Sequence, residues 1–269
     1  NNGGEESPKI TFGIDVATRS LQDQLIESLL QVHTDPHHSN VPHVVGGWVA
    51  GWGLSFAIRN LHPNDTYILQ GVDVFGSPFN AASPPIAAEL GLTMSVAPGQ
   101  TILVPVELNQ SIPLDADATY LDLSLRLKSA TDPAQTPIAK SVHIPLIHRP
   151  AFWDASSSDQ DHNAYMYSYL APDHTVQLAA ATPPKRTGRT AIHTEPRPPL
   201  ILTLHGAGVD VRDLFFSNSI QRQNDSWSVL PTGRTPWGYD WQLASLGAAD
   251  AAVTALHKHL YGLPANMSE

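Results

Sequence analysis

The 269-residue sequence contains no cysteine, which excludes disulfide bonds and thiolate chemistry within the chain. Positive charge is also scarce, because 15 lysines and arginines face 25 acidic residues and give a formal net charge of −10. With no run of basic residues, neither a nucleic-acid partner nor an anionic membrane surface is expected. No apolar run approaches the roughly 18 residues of a spanning helix. The first residues lack the pattern of a signal peptide, so we expect that any leader has been removed.

N-glycosylation sequons are more frequent than the about two that chance would supply. Each lies near turn-forming residues, where a glycan can reach solvent. Together with the acidic balance and the few lysines, they predict a secreted glycoprotein. The four acceptor asparagines are Asn64, Asn109, Asn224 and Asn266.

The first 150 residues predict an all-β domain. A strand at residues 9–16 and a short helix at residues 21–30 open the chain. Apolar alternation then predicts strands at residues 44–59, 66–74, 90–96, 101–108, 120–127 and 141–147, separated by Pro, Gly and Asn turn signals. Short strands at this spacing are typical of a β-sandwich.

One serine in this region partly imitates a nucleophile elbow. Ser55 lies in Gly-Leu-Ser-Phe-Ala, which resembles GxSxG with the last glycine replaced. An elbow needs a strained strand-to-helix turn, whereas the strand pattern here continues beyond Ser55. We therefore interpret Ser55 as a strand residue, and Trp48 and Trp52 as core or sugar-facing aromatics.

A histidine-rich loop precedes the strands, with His33, His37 and His38 close together and His43 beyond them. Neutral imidazole binds zinc or copper well. No helix or hairpin register fixes the spacing of these histidines, and Pro36 interrupts it. The pattern favours a solvated loop, with a metal-binding loop as the alternative.

From residue 151 onward the sequence changes character. A polar connector at residues 156–161 is followed by a predicted hairpin, with strands at residues 164–170 and 175–182 around Pro172 and Asp173. A buried strand at residues 226–231 and a helix at residues 246–260 come later. Strands alternating with helices predict a parallel sheet, which binds ligands at the carboxyl ends of its strands.

A buried parallel strand is predicted at residues 200–204, and small residues follow it. His205, Gly206, Ala207 and Gly208 allow a sharp turn that exposes backbone N–H groups. This loop resembles the HGGG-type oxyanion loop of α/β-hydrolases. With the hairpin before it, the stretch from about residue 152 to the end resembles the start of the catalytic domain in prolyl-oligopeptidase-like serine hydrolases. The resemblance implies that the loop stabilises an oxyanion, that His205 is not the triad base, and that no cofactor or metal is needed.

A second segment is predicted at the same edge of the sheet, after the strand that ends at Pro231. Its aromatic and charged residues suggest a wall beside a substrate pocket, and a surface loop packed on the sheet is the alternative. The candidates are Arg234, Trp237, Tyr239, Asp240 and Trp241.

No GxSxG follows Gly208, although the resemblance implies a Ser, then an Asp or Glu, then a His, in that order. We therefore expect these residues beyond Glu269, on a downstream segment or a cleaved partner chain that completes the sheet. The resulting hypothesis is a serine hydrolase acting on a small-molecule or peptide substrate. The alternative is a non-catalytic, secreted glycan- or protein-binding β-sandwich protein with a hydrolase-like scaffold.

Overall fold

The structure is a computed structural model that describes residues 28–75, 93–132, 134, 136–151, 164–185, 199–213 and 215–261. These residues are rich in β-structure, with four sheets and few helices. None of the helices within the described ranges is long and apolar enough to cross a membrane.

Two antiparallel four-stranded sheets form the first part of the fold. In the first sheet β5 (Gly53–Asn60) pairs with β1 (Leu30–His33), β2 (Ser39–Asn40) and β8 (Thr101–Glu107). The second sheet has the order β10 (Ile138–Pro145), β9 (Tyr120–Ser129), β6 (Tyr67–Phe75) and β7 (Ser95–Val96).

The two sheets enclose one core. Leu121, Leu123, Leu125 and Leu127 alternate along β9 and are buried, as the period of two in a strand requires. They belong to the same apolar cluster as residues of the first sheet, including Phe56 of β5. This arrangement is that of a β-sandwich.

The continuous strand predicted at residues 44–59 is wrong in its extent. The segment forms β3 (Val44–Val45), β4 (Trp48–Val49) and then β5. β3 pairs with β4, and also in parallel with β11 (His148–Arg149). The break occurs because three glycines adopt left-handed backbone angles, at Gly46 (φ 56°), Gly47 (φ 86°) and Gly51 (φ 112°).

The fourth sheet has the order β12 (Tyr165–Leu170), β13 (Val176–Thr182), β15 (Trp227–Pro231) and β14 (Leu200–Leu202). β12, β13 and β15 are antiparallel neighbours, whereas β14 runs parallel to β15. The hairpin predicted around Pro172 and Asp173 is confirmed, and so is the strand that ends at Pro231.

Helices cover both faces of the fourth sheet. The helix predicted at residues 246–260 is α2 (Ala244–Tyr261). It packs its alanines and Leu256 against Tyr165, Tyr167 and Trp227. On the other face, Met166 and Leu178 contact the 3-10 helix Val211–Asp213 and α1 (Phe215–Ser219) through an apolar cluster. Alternate residues of β12 therefore face opposite layers.

The prediction that residues 200–204 form a buried strand is wrong in one respect. Ile201, Leu202 and Leu204 are about two-fifths exposed, at 41%, 39% and 39%. The reason is position, because within the described residues β14 pairs only with β15 and lies at the edge of the sheet. An apolar run therefore forms an edge strand with its side chains partly in solvent.

The first part of the fold and the fourth sheet are joined by backbone hydrogen bonds. Ser168 of β12 donates its N–H to the Ala50 carbonyl (2.9 Å) and accepts from the Trp52 N–H (3.2 Å). Its Oγ accepts the Gly53 N–H at 3.0 Å. A Cβ at Gly51 would clash with the Ser168 backbone, so this contact requires glycine.

Several predicted elements lie outside the described residues. These are the strand at residues 9–16, most of the helix at residues 21–30 and the connector at residues 156–161. At the described end of that helix, Ser28 and Leu29 are helical, and Leu30 begins β1.

Candidate functional site

Two loops meet at one edge of the fourth sheet. β14 and β15 are parallel, so the loop after each strand emerges on the same side. His205, Gly206, Ala207 and Gly208 follow β14, and residues 232–241 follow β15. Carboxyl ends of parallel strands are the usual place for ligand sites in open α/β sheets.

His205 anchors the first loop from beneath, and its side chain is buried at 4% exposure. Its Nε2 lies 3.1 Å from the Thr232 carbonyl oxygen, and its Nδ1 lies 2.9 Å from the Gly206 carbonyl oxygen. Both ring nitrogens therefore face backbone oxygens. A neutral imidazole can donate to only one of these two oxygens, and the contact between Nε2 and the Thr232 carbonyl is the one that joins the two loops.

Trp241 and two glycines complete the packing around His205. The Trp241 indole N–H donates to the His205 carbonyl at 2.8 Å, and the two rings meet edge to face at 4.9 Å. Gly233 (φ 61°) and Gly238 (φ 60°) line the same cluster. A Cβ on Gly233 would lie 3.1 Å from His205 Nε2 and 3.0 Å from the Trp241 ring. The requirement for these glycines escaped the sequence analysis, and only their setting beside aromatic residues hinted at it.

The backbone donors of the loop have different surroundings. Gly208 (φ 78°) donates its N–H to the Pro236 carbonyl at 2.8 Å, so this donor is already engaged. Gly206 and Ala207 are exposed, and their N–H groups have no hydrogen-bond partner among the described residues. Of the three N–H groups at residues 206–208, only that of Gly208 is therefore engaged within the described residues.

Arg234 is occupied by an ion pair. Its Nη1 lies 2.6 Å from Oδ2 of Asp173, in the turn of the β12–β13 hairpin. The hydrogen bond from Arg234 is the main cause that lowers the pKa of Asp173 well below its ordinary value, and burial opposes it. Arg234 therefore ties the loop after β15 to this turn, instead of presenting its Nη1 to the candidate site.

The other predicted pocket residues differ in exposure. Trp237 is 67% exposed, whereas Trp241 is partly buried against His205. Tyr239 and Asp240 belong to the 3-10 helix Gly238–Trp241, and their side chains lie outside what the structure describes. Only Trp237 thus presents a large described aromatic surface to solvent beside the loop.

Ser55 lies within β5 and is buried at 1% exposure, which confirms its interpretation as a strand residue. Its Oγ accepts a hydrogen bond from Asn40 at 3.2 Å. Trp48 is buried at 6% exposure, whereas Trp52 is half-buried and lines a groove between β12 and α2.

The histidines of the first loop separate into two environments. His43 is buried, and its Nδ1 accepts the Met166 N–H at 3.1 Å. Burial, aided by the charge of Arg149, lowers the pKa of His43 to about 3. His43 is therefore a neutral core residue, whereas His33 and His38 lie together beside Asp35 at the surface.

Three of the predicted glycosylation asparagines are described, and all three are exposed: Asn64, Asn109 and Asn224. Asn266 lies outside the described residues.

Comparison with protein-family models, curated proteins and solved structures found no match to this chain.

Proposed function

We propose that this chain supplies the accessory β-domain and the oxyanion loop of a secreted serine hydrolase, an esterase or peptidase that resembles the prolyl-oligopeptidase-like group. One observation carries the proposal. At the carboxyl ends of two parallel strands, an anchored loop has two adjacent N–H groups without a hydrogen-bond partner among the described residues, those of Gly206 and Ala207.

These two groups suit the chemistry of acyl transfer. When a nucleophile attacks a carbonyl carbon, negative charge develops on the carbonyl oxygen, and fixed N–H donors stabilise that charge. Each such donor contributes about 3 to 4 kcal/mol to transition-state stabilisation in enzymes of this kind. Because His205 and Trp241 hold the loop before substrate arrives, little reorganisation is needed during the reaction.

The position of β14 as the last strand of the sheet supports the same proposal. Within the described residues β14 is paired on one side only, so its other side can pair with a further strand, whose side chains would pack beside the partly exposed Ile201, Leu202 and Leu204. In an α/β-hydrolase the nucleophile follows such a strand. We infer that a downstream segment or a cleaved partner chain pairs here and brings the Ser, the Asp or Glu and the His of the triad.

The test uses the natural full-length protein and a fluorophosphonate probe, which modifies activated serines. We expect labelling on a serine of the segment that pairs with β14. Ala207→Pro removes one candidate donor and should lower kcat on the order of 10²-fold with little change in KM. The matched control, Ala207→Gly, keeps the N–H and should retain most of the activity. Equal activity of the two variants, or no labelling, would exclude the proposed role.

A second candidate function is glycan or protein binding without catalysis. Trp52 lines a groove of about 560 Å³ together with Asp250, Thr254 and Lys258, and an indole beside polar groups suits a sugar ring. A glycan-array signal that Trp52→Ala abolishes, in a protein that the fluorophosphonate leaves unlabelled, would favour this function over hydrolysis.

A further inference from the structure

Three metal-ligating side chains converge at the surface of the β-sandwich. His33, Asp35 and His38 each offer one ligand atom, and these atoms lie within 4.8 Å of one another. The rings of His33 and His38 are 5.1 Å apart between centroids. The Asp35 carboxylate oxygens lie 2.9 Å and 2.8 Å from Nδ1 of His38.

The backbone holds this cluster in place. His33 is the last residue of β1 and is paired with Ala57 of β5. The turn that follows is closed by hydrogen bonds from the His38 N–H to the Asp35 carbonyl (2.9 Å) and from the His37 N–H to Asp35 Oδ1 (3.1 Å). The buried Ser39 hydroxyl also donates to the Asp35 carbonyl at 2.8 Å. The sequence alone showed no regular spacing, but the turn brings His38 back to the end of β1.

We propose that His33, Asp35 and His38 bind a divalent transition-metal ion of the Zn²⁺ type. Two imidazoles and one carboxylate are the donors that such ions favour, whereas Mg²⁺ and Ca²⁺ prefer oxygen ligands alone. Three protein ligands leave a fourth position for water, and the site is separate from the loop at residues 205–208.

The dimensions of the cluster are close to those that the ion needs. Bonds of about 2.0 to 2.2 Å place the ligand atoms of a tetrahedral ion about 3.3 Å apart. The ligand atoms lie within 4.8 Å of one another, so no pair of them must approach by more than about 1.5 Å. The side chains of Asp35 and His38 are 46% and 52% exposed, so they can rotate toward an ion at little cost in desolvation.

The turn also contacts the second part of the fold. Nη1 of Arg212 donates to the Pro36 carbonyl at 3.2 Å, and Arg212 belongs to the 3-10 helix that follows the loop at residues 205–208. An ion that binds only the folded state raises the stability of that state. Because the turn contacts both parts of the fold, this stabilisation should include the contact between Arg212 and Pro36.

The test is titration of the purified full chain with Zn²⁺ alone, followed by calorimetry, together with the visible spectrum of the Co²⁺ form. We expect one site that is lost on chelation, and a rise in Tm when Zn²⁺ is present. His33→Ala, Asp35→Asn and His38→Ala should each raise the Kd at least about tenfold. The matched control is His37→Ala, since this neighbouring histidine is outside the cluster.

The folds of the variants are checked by their circular dichroism without metal. A Kd weaker than about 1 mM, or a loss of affinity in His37→Ala equal to that in His38→Ala, would overturn the proposal. If an alanine variant fails to fold, Asp35→Asn decides the matter, because it preserves the shape of the side chain and removes the carboxylate.

Discussion

Gly233→Ala tests the packing that anchors the candidate oxyanion loop. Gly233 has φ 61°, where a residue with a Cβ is disfavoured by about 1–2 kcal/mol. The added Cβ would also lie 2.9 Å from the Gly238 Cα and 3.0 Å from the Trp241 ring. Overpacking of this kind costs about 1–3 kcal/mol, so together the two effects should lower the free energy of unfolding by about 2–5 kcal/mol.

Gly208→Ala is the matched control. Gly208 has a similar φ of 78°, but its Cβ would meet no atom within 4 Å. Both variants equally reduce the conformational freedom of the unfolded chain, so this effect cancels between them. The difference that remains, about 1–3 kcal/mol, is the cost of displacing His205, Gly238 and Trp241.

Urea unfolding followed by tryptophan fluorescence and far-UV circular dichroism measures both variants in the same transition. We also expect Gly233→Ala to change the near-UV spectrum, because the Trp241 indole loses its fixed position against His205. If Gly233→Ala costs no more than Gly208→Ala, the cluster around His205 is not closely packed, and the loop is not fixed in the way proposed.

Three further predictions concern other parts of the fold. Arg234→Gln should lower Tm at pH 6 by a few degrees, because a partly exposed ion pair contributes up to about 1 kcal/mol. The pKa of Asp173 is lowered in the folded state, so the ion pair contributes stability above the unfolded pKa near 4 and loses it as the pH falls further. The Tm difference between the wild-type protein and Arg234→Gln should therefore shrink in acid, and a difference that grows would contradict this. The buried Tyr167 hydroxyl donates to the Ala252 carbonyl at 2.7 Å, so Tyr167→Phe, which removes this hydrogen bond, should lower the free energy of unfolding by about 1–2 kcal/mol. Urea titration measures this change, and an unchanged midpoint would contradict it. Protein from a eukaryotic secretory host should carry glycans on at least two of Asn64, Asn109, Asn224 and Asn266. Endoglycosidase treatment should then lower its mass, and an unchanged mass would refute the prediction.

Local patterns determined much of the second part of the fold. The hairpin of β12 and β13 follows from two apolar runs around Pro172 and Asp173, and α2 follows from apolar residues at helical spacing. Turn residues and periodicity act over a few neighbours, so a single sequence contains the information. The position of His205 to Gly208 after a strand was predictable for the same reason.

Contacts between distant residues decided the rest. The break between β4 and β5 lies at Gly51, which closely approaches Ser168, more than a hundred residues away. The edge position of β14, and hence the exposure of its apolar side chains, depends on which strands pair.

The donors of the candidate loop also depended on tertiary structure. The sequence identified Gly206, Ala207 and Gly208 together, but the Pro236 carbonyl takes the Gly208 N–H and leaves the other two. His33 and His38 likewise showed no regular spacing, and they meet because a closed turn reverses the chain after β1. The sequence thus determined which residue types were present and where the hairpin and the long helix of the second part lie, whereas hydrogen bonding and packing between distant segments decided which backbone groups are engaged.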